Sequence, residues 1–312
     1  MVIVMKNKPH KKNTISIYDV PIKDIYLKNT LTNRNINLNI QTKKKEKTTL
    51  LFQICLIIVF FIIGTYNITK LINWTDDNKK TLTTIKNINQ DIILVEVNDD
   101  ENTEIINEPD DIKSDYWYYV SFPLINVNFN DLTQKNNDTV GWINVNNTNI
   151  NYPVVQSKDN DFYLTHSYDK SVNEAGWVFL DYRNSNTFSD KNTIIYAHSR
   201  LDKSMFGSLS KVLKKDWYSN KSNHIIRIST PSEDTLWQIF STYVIEEESY
   251  YITVDFNNND SYQKFLNTIK DRSKYNFDAN LNPNDKIITL STCYSDTKRT
   301  VVHAKLIKKS SR

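Results

Sequence analysis

Residues 50–68, LLFQICLIIVFFIIGTYNI, constrain this chain more than any other segment. Their centre, residues 54–63, carries no charge and no polar side chain apart from Cys55. A helix of about 20 mostly apolar residues spans a bilayer. A helix apolar on every side fits lipid better than the surface of a soluble domain. Lys43, Lys44, Lys45 and Lys47 stand just before the run. The positive-inside bias then keeps the N-terminus cytoplasmic and places everything after about residue 70 outside. A cleaved signal peptide is the competing reading. Its apolar run would start much earlier and end in a small-residue cleavage site, and neither feature is present.

The charge distribution agrees. Residues 1–49 hold eleven Lys/Arg and three acids, although the whole 312-residue chain is only +3. A basic end can also mean nucleic-acid binding, but topology explains these lysines better, and no nucleic-acid partner is expected. Residues 1–49 read as a cytoplasmic, largely disordered tail, 50–68 as the anchor and 69–115 as an extracytoplasmic polar stalk. Within the stalk, residues 70–90 have weak helical spacing, and 91–115 carry ten acids with no EF-hand pattern. Residues 116–312 read as the folded domain.

From Tyr116 onward, β-branched and aromatic runs are broken by Asn, Asp and Pro. Residues 140–145, 150–156, 177–180, 193–197, 225–229, 235–245, 286–290 and 300–307 read as strands. Eight strands at this spacing predict a mostly β fold, a closed barrel or a sandwich. Two stretches break the pattern: 206–213 as a short helix and 261–272 as an amphipathic one, capped by Asp260 or Ser261. Four glycines and no Gly-rich phosphate motif leave no nucleotide-binding loop, and two cysteines exclude a disulfide-stapled fold or multi-cysteine zinc site.

Cys293 is the one cysteine outside the apolar run. It ends the strand Ile287-Ile288-Thr289-Leu290-Ser291-Thr292. An unpaired thiol in an oxidising compartment is either buried and inert or kept for reactivity. A reactive one needs a neighbour that favours thiolate or moves a proton. Among five histidines, His198 has the best placement, directly after the strand 193–197. His303 lies inside a strand, which favours packing. Arg299 follows Cys293 across a short loop. Its planar, always charged guanidinium suits an oxyanion, yet most arginines are ordinary surface groups.

These residues resemble a family. Thr289-Leu290-Ser291-Thr292-Cys293 followed by Arg299 is similar to the TLxTC…R signature of sortases. Further segments resemble class B sortases in order: Gly141-Trp142-Ile143, Tyr152-Pro153-Val154-Val155-Gln156, Asp159-Asn160, Phe162-Tyr163-Leu164, Gly176, Phe179, Asp181, Ile194-Ile195-Tyr196-Ala197-His198, Met205-Phe206-Gly207-Ser208-Leu209 and Val301-Val302-His303-Ala304-Lys305-Leu306. The resemblance covers roughly residues 116–308. It implies a closed eight-stranded β-barrel with N-terminal helices, a helix between strands six and seven, and a membrane anchor.

The resemblance also implies a cysteine transpeptidase of a Gram-positive surface. Cys293 would be the nucleophile, His198 the proton carrier and Arg299 the oxyanion donor. Ser291 would contact substrate and Tyr294 would face its channel; Asn151 and Tyr196 are further candidates near the cleft. Tyr294 departs from the family, which often has an acidic residue there, facing the substrate channel. No cofactor and no metal are expected; the run Glu246-Glu247-Glu248 reads as a solvated surface. The partners would be secreted proteins bearing a C-terminal NPxT-like sorting signal, and a peptidoglycan precursor or crossbridge amine. The alternatives are a pilus-type or housekeeping sortase with an LPxT-like signal, or an inert surface-binding barrel.

Overall fold

Strand-forming runs close on one another in this chain because their β-branched faces find a common interior. The computed structural model describes residues 22–92, 94–107, 109, 114–293 and 297–312. Eleven strands are present among them: β1 (Val95–Val97), β2 (Thr103–Ile105), β3 (Leu124–Asn126), β4 (Thr139–Val145), β5 (Asn151–Val155), β6 (Phe179–Leu180), β7 (Asn192–Ala197), β8 (Ile225–Ser229), β9 (Glu233–Glu246), β10 (Ile287–Cys293) and β11 (Lys298–Ser311). The helices are α1 (Ile22–Asp91), α2 (Tyr116–Val120), α3 (Asn130–Lys135), α4 (Lys215–Tyr218) and α5 (Asn259–Asp271).

The last eight strands form the barrel, in the order β10-β7-β6-β5-β4-β8-β9-β11, and the β10–β11 pairing closes it. Most pairs are antiparallel; β5–β6 and β7–β10 are parallel. Trp142, Trp177, Phe179, Ile195, Trp237 and Leu290 are among the buried side chains of the main core. All eight strands coincide with the expected runs. Helix α5 lies between the sixth and seventh barrel strands. Its Tyr262, Phe265, Leu266 and Ile269, on one helical stripe, pack against Phe240, Tyr243, Tyr251, Ile287 and Val301.

Several particulars differ from expectation. Asn258, not Asp260 or Ser261, caps α5. Its side chain accepts the Ser261 backbone N–H at 2.8 Å, and the Ser261 hydroxyl completes a capping box. The short helix expected at 206–213 is present as a 3₁₀ helix over 207–213. Helix α1 also runs well past both ends of the apolar segment. Its span contains no proline and only Gly64, so nothing in the chain punctuates it. Residues 22–49, expected as a disordered tail, are helical here.

The chain divides into two units, residues 1–72 and 73–312. The first carries the apolar run, which is long and apolar enough to cross a membrane and has none of its window buried. In the second unit the end of α1 packs on the barrel rather than standing free as a stalk. Ile88 and Ile92 join the main core, and Asn173 donates to the Thr81 hydroxyl at 3.1 Å. The acidic segment is tied down as well. Strand β2 pairs with β11, Asp99 meets the buried Lys308 at 2.6 Å, and Glu104 meets Lys309 at 2.9 Å.

Candidate active site

Three strand ends meet at one end of the barrel. In the parallel β7–β10 pair, Ser291 lies opposite Tyr196 and Thr292 opposite Ala197. His198 follows Ala197 directly in the chain, as Cys293 follows Thr292. In the antiparallel β10–β11 pair, Cys293 lies opposite Arg299. Neighbouring strands are about 4.8 Å apart. The backbone of Cys293 therefore lies between the chain segments that carry His198 and Arg299. The Cys293 side chain and residues 294–296, Tyr294 among them, fall outside the described atoms.

His198 is half-buried. Its Nε2–H donates to the Leu164 carbonyl at 2.8 Å, since a carbonyl oxygen only accepts. This selects one tautomer, with the hydrogen on Nε2 and a lone pair on Nδ1. The local chain is built for that bond. Leu164 ends a 3₁₀ turn, Phe162–Leu164, and Gly176 lies against it with φ +60°. A Cβ at Gly176 would stand 2.5 Å from the Tyr163 oxygen, 2.9 Å from the Leu164 oxygen and 3.0 Å from His198 Cδ2. Only glycine combines this backbone angle with this close approach.

Arg299 donates from Nη2 to Glu247 Oε2 at 2.7 Å and from Nη1 to the Lys298 carbonyl at 3.2 Å. Between the two groups opens a cleft of about 350 Å³, lined by His198, Arg299, Tyr196, Tyr251, Ser291 and Thr292, with Glu247 and Glu248 at its wall. Ser291 is buried and shares a hydrogen bond with the Tyr251 hydroxyl at 3.0 Å. The Tyr196 hydroxyl donates to Asp181 Oδ2 at 3.0 Å. Burial pushes the Asp181 carboxyl up, but the two-pronged bond from Arg183 outweighs it and holds the group below the usual carboxylate range. Burial and the neighbouring Asp181 charge push the Tyr196 phenol up, so it stays protonated.

The structure thus gathers His198, Arg299, Ser291 and Tyr196 around one cleft. Asn151 is elsewhere. It starts β5, and its side-chain oxygen accepts from Trp142 Nε1 at 2.8 Å and Asn144 Nδ2 at 3.3 Å. It does not line the cleft, because the strand register spends its amide on the barrel wall. Sequence reasoning missed Leu164, Tyr251 and Glu247. The first acts through its backbone, which carries no residue-type signal. The second lies outside any strand. The third sits in a run read as solvated surface, yet all three acids face bases: Glu246–Lys298 at 3.4 Å, Glu247–Arg299 at 2.7 Å and Glu248–Arg272 at 2.5 Å. Among the described residues no cluster of His, Cys, Asp and Glu is arranged to hold a metal ion.

Comparison with known proteins agrees with this geometry. A family model described as the sortase domain matches residues 143–307. Sortase B of Listeria monocytogenes is 39% identical over 183 residues, covering 57% of this chain and 74% of the relative. A solved Bacillus anthracis protein similar to sortase B superposes with a TM-score of 0.59 at 35% identity, covering 76% of this chain and 98% of that one. A Staphylococcus aureus sortase B–substrate complex gives a TM-score of 0.54 at 40% identity, covering 58% and 84%.

Proposed function

The chain belongs to the sortase family of cysteine transpeptidases, resembling its class B members, and on that footing we propose that it joins secreted proteins to the cell wall. What supports this reading is that β10, which ends in Cys293, pairs on one side with β7, the strand leading into His198, and on the other with β11, where Arg299 lies opposite Cys293.

The Cys293 thiolate attacks the carbonyl of the Thr in a C-terminal NPxT-like signal. The carbonyl electron pair moves to oxygen, and the Arg299 guanidinium hydrogen-bonds that oxyanion. One well-placed donor of this kind is worth about 3 kcal/mol. Collapse expels the peptide amine, which takes a proton from His198, and leaves a thioester. A peptidoglycan amine then attacks the thioester, with His198 accepting its proton, as reversibility requires. The product carries the anchored protein in amide linkage and returns the thiolate. Ser291 and Tyr196, on the cleft wall, contact the signal peptide, as does Tyr294.

The apolar run of α1 anchors the enzyme, with residues 1–49 cytoplasmic and the barrel outside. Tethering raises the effective concentration of enzyme toward membrane-associated substrates. The test is mass spectrometry of full-length protein in detergent, incubated with peptides bearing NPxT or LPxT cores. A thioester on Cys293 formed with NPxT, and absent from Cys293→Ala, is the expected result. Preference for LPxT would assign a housekeeping or pilus-type signal instead. No adduct with either peptide would sink the enzyme reading in favour of an inert barrel.

A further inference from the structure

We infer that Glu247 is a positioning residue that aims the Arg299 guanidinium into the cleft; this rests on the transpeptidase reading above. An arginine side chain has four rotatable torsions, and an unrestrained one spreads its charge over many positions. Here two of its five N–H groups are committed, one to Glu247 and one to the Lys298 carbonyl. Among the described residues the other three have no acceptor, which leaves them for a substrate oxygen. The carboxylate is itself held by its own backbone. The Glu247 N–H donates to the Thr297 carbonyl at 2.9 Å, just past the point where Glu246 pairs with Lys298 across β9 and β11. The same short segment thus secures the start of β11 through its main chain and the guanidinium through its side chain.

The ion pair is not a stability device. The Glu247 side chain is 67% exposed and that of Arg299 only 18%. An ion pair with one partner so open to water adds little to folding. Its consequence is geometric. A catalytic donor displaced by about 1 Å can lose roughly a hundredfold in rate. The adjacent pair, Glu246 with Lys298, supplies an internal control. It has the same charge types and lies one residue away on each side, but neither residue lines the cleft.

The experiment measures kcat/KM and melting temperature for full-length protein in detergent, with a fluorescence-quenched peptide carrying an NPxT core. Glu247→Ala is expected to lower kcat/KM about tenfold or more with an unchanged melting temperature. Glu247→Gln, which keeps an acceptor oxygen, retains most of the activity, and Glu246→Ala matches wild type. In an Arg299→Ala background, Glu247→Ala costs nothing further, because the two act as one unit. Wild-type kcat/KM in Glu247→Ala would overturn the inference. A rise would do so too, showing that the carboxylate restrains Arg299 instead of aiming it. Full additivity with Arg299→Ala, or a Gln variant as weak as the Ala one, would also overturn it. Absence of thioester in the wild-type protein is a separate result, and it removes the parent reading instead.

Discussion

Two histidines flank β10, one on each side, and they do opposite work. His303 lies opposite Thr289 in the middle of the β10–β11 pair. It is fully buried, and both ring nitrogens are used. Thr289 Oγ1 donates to Asn192 Oδ1 at 2.6 Å and so accepts from His303 Nδ1–H at 2.9 Å. His303 Nε2 then accepts from the Tyr243 hydroxyl at 2.8 Å. Asn192 passes the chain on to the Thr253 carbonyl at 2.9 Å. Burial, helped by the Arg272 charge, pushes the His303 imidazole down to about 3. His198 stands at the open end, with one nitrogen bonded and Nδ1 without a partner among the described residues. A closed hydrogen-bond chain makes a histidine a structural group. A spare nitrogen at a cleft suits one to carry a proton, the role proposed for His198.

The sharpest way to break this contrast is to remove each ring in turn. His198→Ala should lower kcat about 10³-fold with the fold intact, as loss of a general acid–base does. Circular dichroism and thioester trapping check it, and near-wild-type turnover would deny His198 its role. His303→Ala leaves Tyr243 and Thr289 each short of a buried partner and opens a cavity. It should cost about 3 kcal/mol by denaturant unfolding. A variant of unchanged stability that had lost turnover would reverse the roles of the two rings.

Gly176→Ala tests the support of His198 rather than the ring itself. The left-handed backbone and the contact with the Leu164 oxygen should cost about 1–2 kcal/mol. Turnover should fall about tenfold beyond any loss of folded protein, because the His198 hydrogen bond is displaced. A further effect is in pH dependence. The folded His303 imidazole is depressed below its ordinary value, so between about 6.5 and 3 the unfolded chain binds a proton that the folded chain does not. Stability from this source is complete above about 6.5 and declines as pH falls, by about 1.4 kcal/mol per pH unit. Burial lowers His224 as well, which adds to the same trend. Urea titrations from pH 7 to 4 should show a shallower decline in a His303→Gln variant; an identical slope would mean that His303 is not the group responsible.

The eight barrel strands were legible as β-branched and aromatic runs bounded by Asn, Asp and Pro, and α5 by its 3.6-residue spacing. The short strands β1, β2 and β3 were not. Each has three residues, too few for a pattern, and each forms only because a partner strand waits for it. The described acids of 91–115 and 246–248 are mostly exposed, as expected, but their pairing was not legible. Their bases, Lys308, Lys309, Arg272, Lys298 and Arg299, come from distant parts of the chain. Asn151 misled because its neighbours match the family while its own amide is spent on Trp142 and Asn144.

Local order along the chain was thus enough to determine an apolar helix, a set of strands, and a thiol, an imidazole and a guanidinium each placed at a strand end. Pairing decided the rest. Strand pairing set the end of β10 between β7, which leads into His198, and β11, which carries Arg299, and packing chose the His198 tautomer through a carbonyl held by Gly176. The same packing gave Arg299 a carboxylate to lean on. Those choices depend on distances between residues far apart in the chain, and such distances exist only once the barrel has closed.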